Sequence, residues 1–194
     1  MKKWSDIPGW FNYGDLYEEA ANRLPVGGLC VEVGSWQGCS ACYLASRLKE
    51  LGKDATVFCV DQWSGLEMPD PSVSHCISVP FLKKFMDNVR ECGLSDVIVP
   101  IISDSDKAAS RFENASLDFI FIDASHDYAS VKRDISVWLP KLKPGGTISG
   151  HDFHTDGVKK AVFEAFSGRN DYAKGWSWLI KDWKPLDKEA GCTT

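Results

Sequence analysis

Short runs of apolar, largely β-branched residues recur along the chain and alternate with longer amphipathic segments. The runs predict strands at 29–33, 56–60, 97–102, 117–122, 146–149 and 175–181. Apolar residues at helical spacing predict helices at 40–51, 81–92, 128–139 and 158–166. Because the runs are apolar almost throughout, helices are expected to cover the strands on both faces. This order predicts an α/β fold with a parallel sheet.

The chain length and the lack of an internal repeat predict a single domain spanning 1–194. Two segments fall outside the alternation of strands and helices. Residues 1–27 are expected to form a helical segment over the cleft. Residues 62–80 contain three prolines and no helical period, which is typical of a lid or a substrate-binding loop.

The chain carries a formal net charge of -5 and no basic stripe, so neither nucleic acid nor anionic lipid is expected to bind it. Its first residues lack the apolar run of a signal peptide, and no segment approaches the roughly 20 apolar residues that span a bilayer. We therefore expect a cytoplasmic protein with a small-molecule partner. An odd number of cysteines, two of them inside apolar runs, suits a reducing compartment. The sequence does not determine the oligomeric state and is compatible with a homo-oligomer.

A glycine-bearing turn, VEVGSWQGCS at 31–40, joins the first predicted strand to the next helix. Glycine permits a tight turn and a close approach of ligand to backbone, and the amides at a helix start attract an anion. The G-x-x-x-G spacing lacks the third glycine of a dinucleotide fingerprint, which disfavours a nucleotide-dependent oxidoreductase. A purely structural turn is the alternative. Cys39 and Cys42 have the spacing of a redox dithiol, but no second C-x-x-C accompanies them as a zinc partner.

Asp61 ends the second predicted strand. A carboxylate at that edge can accept both hydroxyl hydrogens of a ribose, although a turn or helix-capping aspartate is the alternative. Asp123 and the pair His151 and Asp152 also follow apolar strands, so their side chains are expected at the same edge of the sheet. Carboxylates that face one point need a cation, and oxygen ligands suit Mg²⁺ or Ca²⁺, whereas an imidazole ligand extends the choice to Mn²⁺ or Fe²⁺.

Four motifs together resemble class I S-adenosylmethionine-dependent methyltransferases: the glycine turn, VDQW at 60–63, DFIFIDASH at 118–126 and LKPGG at 142–146. More narrowly, they resemble the branch with macrocin and other sugar or antibiotic O-methyltransferases, and more distantly catechol O-methyltransferase. The resemblance covers about 11–166. It implies S-adenosylmethionine as cofactor and a Rossmann-like, doubly wound, mostly parallel sheet, which we expect to have about seven strands with the last antiparallel.

The resemblance implies the cofactor site residue by residue. The residues that would line the methionine part are Glu32, Gly34, Ser35, Gly38 and Ser40. Those that would hold the ribose and contact the adenine are Asp61, Ser103, Asp104 and Ser105. Further residues assigned to this site from the same motifs are Trp36, Gln62 and Asp123. For the segment 103–105, a helix N-cap is the alternative reading, and one residue can serve both roles.

The resemblance also bears on the chemistry. Asp123 and Asp152 match metal-ligand positions of the metal-dependent members, whereas His151 stands where the catechol enzyme has an acid. His126 lies where that enzyme has its basic residue, and an ordinary imidazole pKa of about 6.5 suits it to accept a hydroxyl proton. The alternative for His126 is a role at the surface or as a helix cap. His154 is another candidate for the base, and His75 is a weaker candidate. Related sequences also use a His–Asp pair without metal.

We therefore expect an O-methyltransferase that acts on a hydroxyl of a sugar or small natural product, with Mg²⁺ or another divalent cation at Asp123, His151 and Asp152. The alternative outside catalysis is a cofactor-binding module. Trp10, Trp36 and Trp63 lie beside the expected cleft, where an aromatic face can pack on a sugar ring or the cofactor. The tryptophans of the last strand, Trp176 and Trp178, are expected to pack in the core.

Overall fold

A computed structural model describes residues 1–64, 81–171 and 175–185. The strands are β1 (Leu29–Val33), β2 (Thr56–Asp61), β3 (Ile98–Ile102), β4 (Leu117–Ile122), β5 (Leu142–Gly150) and β6 (Trp178–Ile180). The α-helices are α1 (Gly14–Arg23), α2 (Cys39–Glu50), α3 (Phe81–Glu91), α4 (Ser105–Ala109), α5 (Tyr128–Trp138) and α6 (Asp156–Ala165). Short 3₁₀ turns lie at Trp4–Asp6 and Leu139–Lys141.

The strands form one sheet in the order β3-β2-β1-β4-β5-β6, in which β1 to β5 are parallel and β6 is antiparallel to β5. The α/β fold, the parallel sheet and the antiparallel last strand are thus confirmed. Val33 pairs with Val60 on one side and Ile122 on the other, so these strands end level with one another. The order reverses between β1 and β4, and open α/β sheets bind ligands in the crevice at such a reversal.

The expected number of about seven strands is wrong, because the described residues form six. Each apolar run of strand length in the described residues makes one strand, and none is left over for a seventh. The last strand is also shorter than predicted and begins at Trp178. The fifth begins earlier, at Leu142, which pairs with Leu117 ahead of a register shift.

Helices cover both faces of the sheet, as predicted. Cys30 of β1 packs among residues of α1, α2 and α3, whereas its neighbour Val31 packs among residues of α4, α5 and α6. Successive side chains of a strand point to opposite faces, so the continuous apolar runs supply two cores. None of the helices in the described residues has the length and apolar character that crossing a membrane requires.

Candidate active site

A cavity of about 1140 Å³ opens at the carboxyl ends of the parallel strands, at the reversal of strand order. Residues that directly follow β1, β4 and β5 line it, together with the last residue of β2. The predicted site residues found in its wall are Gly34, Ser35, Trp36, Ser40, Asp61, Gln62, Ser103, Asp104, Ser105, Asp123, His126, His151 and Asp152. Glu32 and Gly38 are not part of the wall. His75 and most of the loop 62–80 lie outside the described residues.

The glycine turn brings the end of β1 against the end of β4. Gly34 has φ +92°, and a Cβ there would lie 2.1 Å from the backbone oxygen of Asp123. Its amide donates a hydrogen bond to Val60 across 2.8 Å. The glycine is therefore required by packing between two strand ends, and not by the close approach of a ligand that was predicted. Gly38, with φ +86°, precedes the first turn of α2.

Asp61 is held by two backbone amides. Its Oδ2 accepts a hydrogen bond from the Trp36 amide at 2.9 Å, and its Oδ1 accepts one from the Trp63 amide at 2.8 Å. A carboxylate has about four lone-pair positions, so one on each oxygen remains for a ligand. The Trp63 indole in turn donates to the Trp36 carbonyl at 2.7 Å. These contacts fix the carboxylate at the edge of the cavity.

Glu32 is buried behind the glycine turn. Its Oε2 accepts a short hydrogen bond of 2.6 Å from the Tyr17 hydroxyl, and its Oε1 has no hydrogen-bond partner among the described residues. Burial raises the pKa of this carboxyl to about 7, although the hydroxyls of Tyr17, Ser35 and Ser40 act to lower it. Near neutral pH the group therefore exists in both protonation states.

The segment 103–105 joins β3 to α4 at the other end of the cavity. Asp104 occupies the N-cap position, but its side chain makes no capping hydrogen bond. Its carboxylate instead accepts a hydrogen bond from Gln62 and pairs with Lys107, and the side chain is 39% exposed. The pair with Lys107 lowers the pKa of Asp104. The Asp104 side chain therefore does not cap α4, although the residue stands at the N-cap position.

The ends of β4 and β5 bring two carboxylates and two imidazoles together. His126 Nε2 lies 2.9 Å from Asp152 Oδ2 and 4.0 Å from Asp123 Oδ1. His151 Nδ1 lies 3.3 Å from Asp152 Oδ2 and 3.7 Å from Asp123 Oδ1. Asp152 has φ +54°, a strained conformation for a residue with a side chain, and such strain concentrates at functional sites. His154 is more peripheral, with Nδ1 3.6 Å from Asp152 Oδ1.

The two carboxyl groups of this cluster differ in acidity. Burial raises the pKa of Asp123 to about 6, against the lowering effect of His151. Burial also acts to raise the pKa of Asp152, but hydrogen bonds with His126 and His151 outweigh it and hold the pKa well below the usual range. The hydrogen bond to Asp152 raises the pKa of His126, whose side chain is half exposed. Asp152 is thus the more acidic of the two carboxyl groups.

Two N-terminal residues complete the cluster. Asn12 Oδ1 lies 3.0 Å from His151 Nε2, and the Tyr13 hydroxyl donates to Asp123 Oδ2 at 3.2 Å. Because an amide oxygen can only accept, a proton on His151 Nε2 satisfies Asn12, whereas a proton on Nδ1 satisfies the carboxylates. Sequence reasoning missed both residues, since they lie in a segment without a recognisable motif.

Ligand atoms for a cation converge in this cluster. Asp123, His126 and Asp152 each offer one atom, all within 4.8 Å of one another. The set predicted from sequence contained His151 in place of His126, and its Nδ1 lies at comparable distances from both carboxylates. Two carboxylates and one imidazole fit a divalent cation, and the nitrogen admits Mn²⁺ or Fe²⁺ as well as Mg²⁺.

The tryptophans that expose a face to the cavity are only in part the ones that were predicted. Trp10 is 56% exposed and stacks on Trp36 with ring centroids 5.2 Å apart. Trp63 lines the cavity but is almost fully buried against Phe85. Trp176, expected in the core, precedes β6 and is 51% exposed in the cavity wall, where it packs on His154. The exposed faces of Trp10 and Trp176 are therefore available to a ligand.

The C-x-x-C pair does not have the properties of a redox site. Cys39 and Cys42 are buried free thiols at the start of α2. Burial raises the pKa of Cys39 to about 11 and also raises the pKa of Cys42. Because the thiolate is the reactive form, these thiols are expected to be inert near neutral pH.

Comparison with known proteins bears on the family and the fold. Residues 31–153 match the family model described as "Methyltransferase domain", and no curated protein matches the sequence. The structure of the O-methyltransferase NovP superposes with a TM-score of 0.68 at 17% identity, covering 88% of this chain and 79% of that one.

Two further structures are similar. An SAM-dependent O-methyltransferase from Thermotoga maritima gives a TM-score of 0.65 at 12% identity, over 97% of this chain and 69% of that one. A protein from Corynebacterium glutamicum gives 0.66 at 16% identity, over 94% and 86%. At these identities the likeness shows a shared fold.

Proposed function

The chain belongs to the methyltransferase domain family, and we propose that it transfers a methyl group from S-adenosylmethionine to a hydroxyl oxygen of a small molecule. A sugar or another small natural product is the acceptor class that we propose. The observation that carries this proposal is the lining of the cavity. It contains Asp61, at the position expected for a ribose-binding carboxylate, and the acid–imidazole cluster, which consists of Asp123, His126, His151 and Asp152. The O-methyltransferases among the similar structures support the choice of oxygen as the acceptor atom.

We assign the cofactor to the half of the cavity between β1 and β3. Asp61 would accept the ribose hydroxyls on its two remaining lone pairs, since the backbone amides already fix its orientation. The turn from Gly34 to Ser40 would hold the methionine part near the amides at the start of α2, which favour its carboxylate. The segment 103–105 would lie near the adenine.

We assign the acceptor to the half of the cavity that contains the acid–imidazole cluster. His126 would act as the base: with Nε2–H directed to Asp152, its Nδ1 keeps the lone pair that takes the hydroxyl proton. With S-adenosylmethionine bound, the acceptor oxygen would attack the methyl carbon in line and the carbon–sulfur bond would break, leaving S-adenosylhomocysteine and the hydroxyl proton on His126. The sulfonium is already a strong electrophile, so alignment of the two centres supplies much of the rate.

A divalent cation fits the same cluster. Asp123, Asp152 and the Nδ1 of His151 would hold it, because this nitrogen lies beside both carboxylates and Asn12 can accept the proton that the ring then keeps on Nε2. When bound, the cation would stabilise negative charge on an acceptor oxygen. With His151 as the ligand, His126 remains free to act as the base.

We propose one domain over the whole chain, in which the N-terminal segment 1–27 closes the acceptor side. Tyr13 of this segment lines the cavity and donates a hydrogen bond to Asp123, which supports that arrangement. The 62–80 loop stays a prediction as an acceptor lid, since 65–80 lie outside the described residues.

A transfer assay tests the function. The protein is incubated with methyl-labelled S-adenosylmethionine and a pool of hydroxylated sugars and phenols, and label is followed into the acceptor fraction. We expect transfer by the wild type and by Asp54→Ala, an exposed control at the opposite end of β2, and little by Asp61→Ala. Cofactor binding without transfer to any pooled compound would favour a binding module. Binding of a nicotinamide nucleotide in its place would contradict the proposal.

A further inference from the structure

The buried His151 ring has hydrogen-bond acceptors on both sides. Its Nε2 lies 3.0 Å from Asn12 Oδ1, and its Nδ1 lies 3.3 Å from Asp152 Oδ2 and 3.7 Å from Asp123 Oδ1. A neutral imidazole carries one proton, so it can donate to one side and leaves the other without a donor. A cation at Nδ1 removes this conflict, because the ring then keeps its proton on Nε2 and donates it to Asn12. A second proton on the ring would also satisfy both sides, and a metal titration separates the two cases.

The next residue of the chain, Tyr13, contacts two of the same groups. Its hydroxyl donates to Asp123 Oδ2 at 3.2 Å, and its ring packs on the His151 ring with centroids 4.9 Å apart. Burial raises the pKa of the Tyr13 hydroxyl, so this group stays a donor. Two consecutive side chains of the N-terminal segment therefore each hold one candidate ligand of the cation, Asn12 at His151 and Tyr13 at Asp123.

The two N-terminal residues differ in how they are themselves held. Tyr13 is almost fully buried and packs on Phe121 and Tyr17, with ring centroids 4.7 and 5.2 Å apart. Asn12 is exposed, and its contact with His151 is made by the side-chain amide alone. The aromatic packing keeps this part of the segment in place without a cation, so the ligands can be oriented before a cation binds. A substitution of Asn12 is expected to change the contact and not the core.

We propose that Asn12 and Tyr13 are positioning residues for the divalent cation, and that the affinity for this cation therefore depends on the N-terminal segment. The inference rests on the cation of the proposed function. Asn12 accepts the Nε2 proton of His151 and so fixes the tautomer that a metal ligand needs, while Tyr13 orients the Asp123 carboxylate. The loss of such a contact behind a metal ligand typically lowers metal affinity by about 10- to 100-fold.

Calorimetric titration with Mn²⁺ tests the proposal, because it measures affinity without turnover. Asn12→Leu has a similar size but no acceptor, and it should bind Mn²⁺ about 10- to 100-fold more weakly than the wild type. Asn12→Asp keeps an acceptor oxygen and should bind within about threefold of the wild type or more tightly. Tyr13→Phe keeps the ring and loses the hydroxyl, so it should bind about tenfold more weakly. The control is Asn22→Leu, at an exposed asparagine that bonds to Glu18 within α1, and it should bind as the wild type does.

Titration of the same proteins with S-adenosylhomocysteine shows whether a loss is specific to the cation. Asn12→Leu should keep the wild-type affinity for this compound, because Asn12 contacts the acid–imidazole cluster and not the cofactor half. Equal Mn²⁺ affinities in Asn12→Leu and the wild type would overturn the proposal. So would an equal loss in Asn22→Leu or in Asn12→Asp, or a loss of both ligands in Asn12→Leu.

The wild type alone separates this inference from the proposed function. A wild type that binds S-adenosylhomocysteine but no Mn²⁺ would overturn the role of Asn12 and Tyr13 and leave the methyl transfer standing. A wild type that binds neither would contradict the proposed function as well.

Discussion

Replacing the buried acid Glu32 by glutamine should increase stability relative to the wild type, and the increase should grow as the pH rises. Burial places the pKa of Glu32 at about 7 in the folded state, against about 4.5 for the ordinary carboxyl. A carboxyl whose folded-state pKa is raised favours folding in its protonated form. Its contribution is therefore present below the unfolded pKa, and it is lost as pH rises from about 4.5 through 7.

The magnitude follows from the two pKa values. One pKa unit corresponds to about 1.4 kcal/mol, so the full loss approaches ~3 kcal/mol, most of it between pH 5 and pH 8. Glutamine does not ionise, and its amide oxygen can still accept from Tyr17. The free energy of unfolding of Glu32→Gln, relative to wild type, should thus rise by about 2 to 3 kcal/mol from pH 5 to pH 8.

Urea denaturation of both proteins at pH 5, 6, 7 and 8 measures this difference. The comparison between the two proteins cancels the titrating groups that do not interact with Glu32, whereas the charge of Asp123 contributes to the raised pKa of Glu32 and is therefore part of the measured difference. Tyr17→Phe removes a hydroxyl that lowers the pKa of Glu32, so that variant should keep or steepen the dependence on pH. A difference between Glu32→Gln and wild type that stays constant within about 0.5 kcal/mol across the range would refute the reasoning.

Three other predictions concern the base, the cation and the glycine turn. His126→Gln should lower kcat by about 100-fold or more while the affinity for S-adenosylhomocysteine stays unchanged, and His154→Gln should do much less; equal rates would remove His126 as the base. Dialysis against a chelator should lower turnover about tenfold or more and added Mn²⁺ or Mg²⁺ should restore it, whereas unaffected turnover would remove the cation. Gly34→Ala should lower the free energy of unfolding by about 3 kcal/mol, because its Cβ would meet the Asp123 backbone. Gly52→Ala, also at positive φ but in open space, should cost about 1 kcal/mol, and equal costs would contradict the packing argument.

The edge of the sheet that forms the site was predictable from the sequence for a physical reason. Side chains that follow buried parallel strands must emerge at one edge, so Asp61, Asp123 and Asp152 were placed there by the pattern alone. The position of the glycine turn was also predicted correctly, but the reason why residue 34 must be glycine was not. The clash that requires Gly34 is with the end of β4, a strand distant in sequence, and no local pattern contains that contact.

Residues whose position depends on packing between distant segments were not predictable. Asn12 and Tyr13 reach the cluster only because the N-terminal segment folds across it. Trp176 was misplaced because the last strand begins at Trp178, so the alternation assumed for the pair does not extend to it. Asp134, a buried acid of the cavity wall, did leave a signal: it lies three residues after Val131 and thus on the apolar face of α5, where a charge is unexpected.

Calorimetric titration of the wild type and of Asp61→Ala with S-adenosylhomocysteine tests whether Asp61 forms a cofactor site, and it needs no knowledge of the acceptor. We expect saturable binding of one molecule per chain by the wild type. Binding by Asp61→Ala should be about 100-fold weaker, from the loss of two hydrogen bonds to a carboxylate. Asp54→Ala should bind as the wild type does. No binding by the wild type, or equal affinity in Asp61→Ala, would contradict a cofactor site at this edge of the sheet.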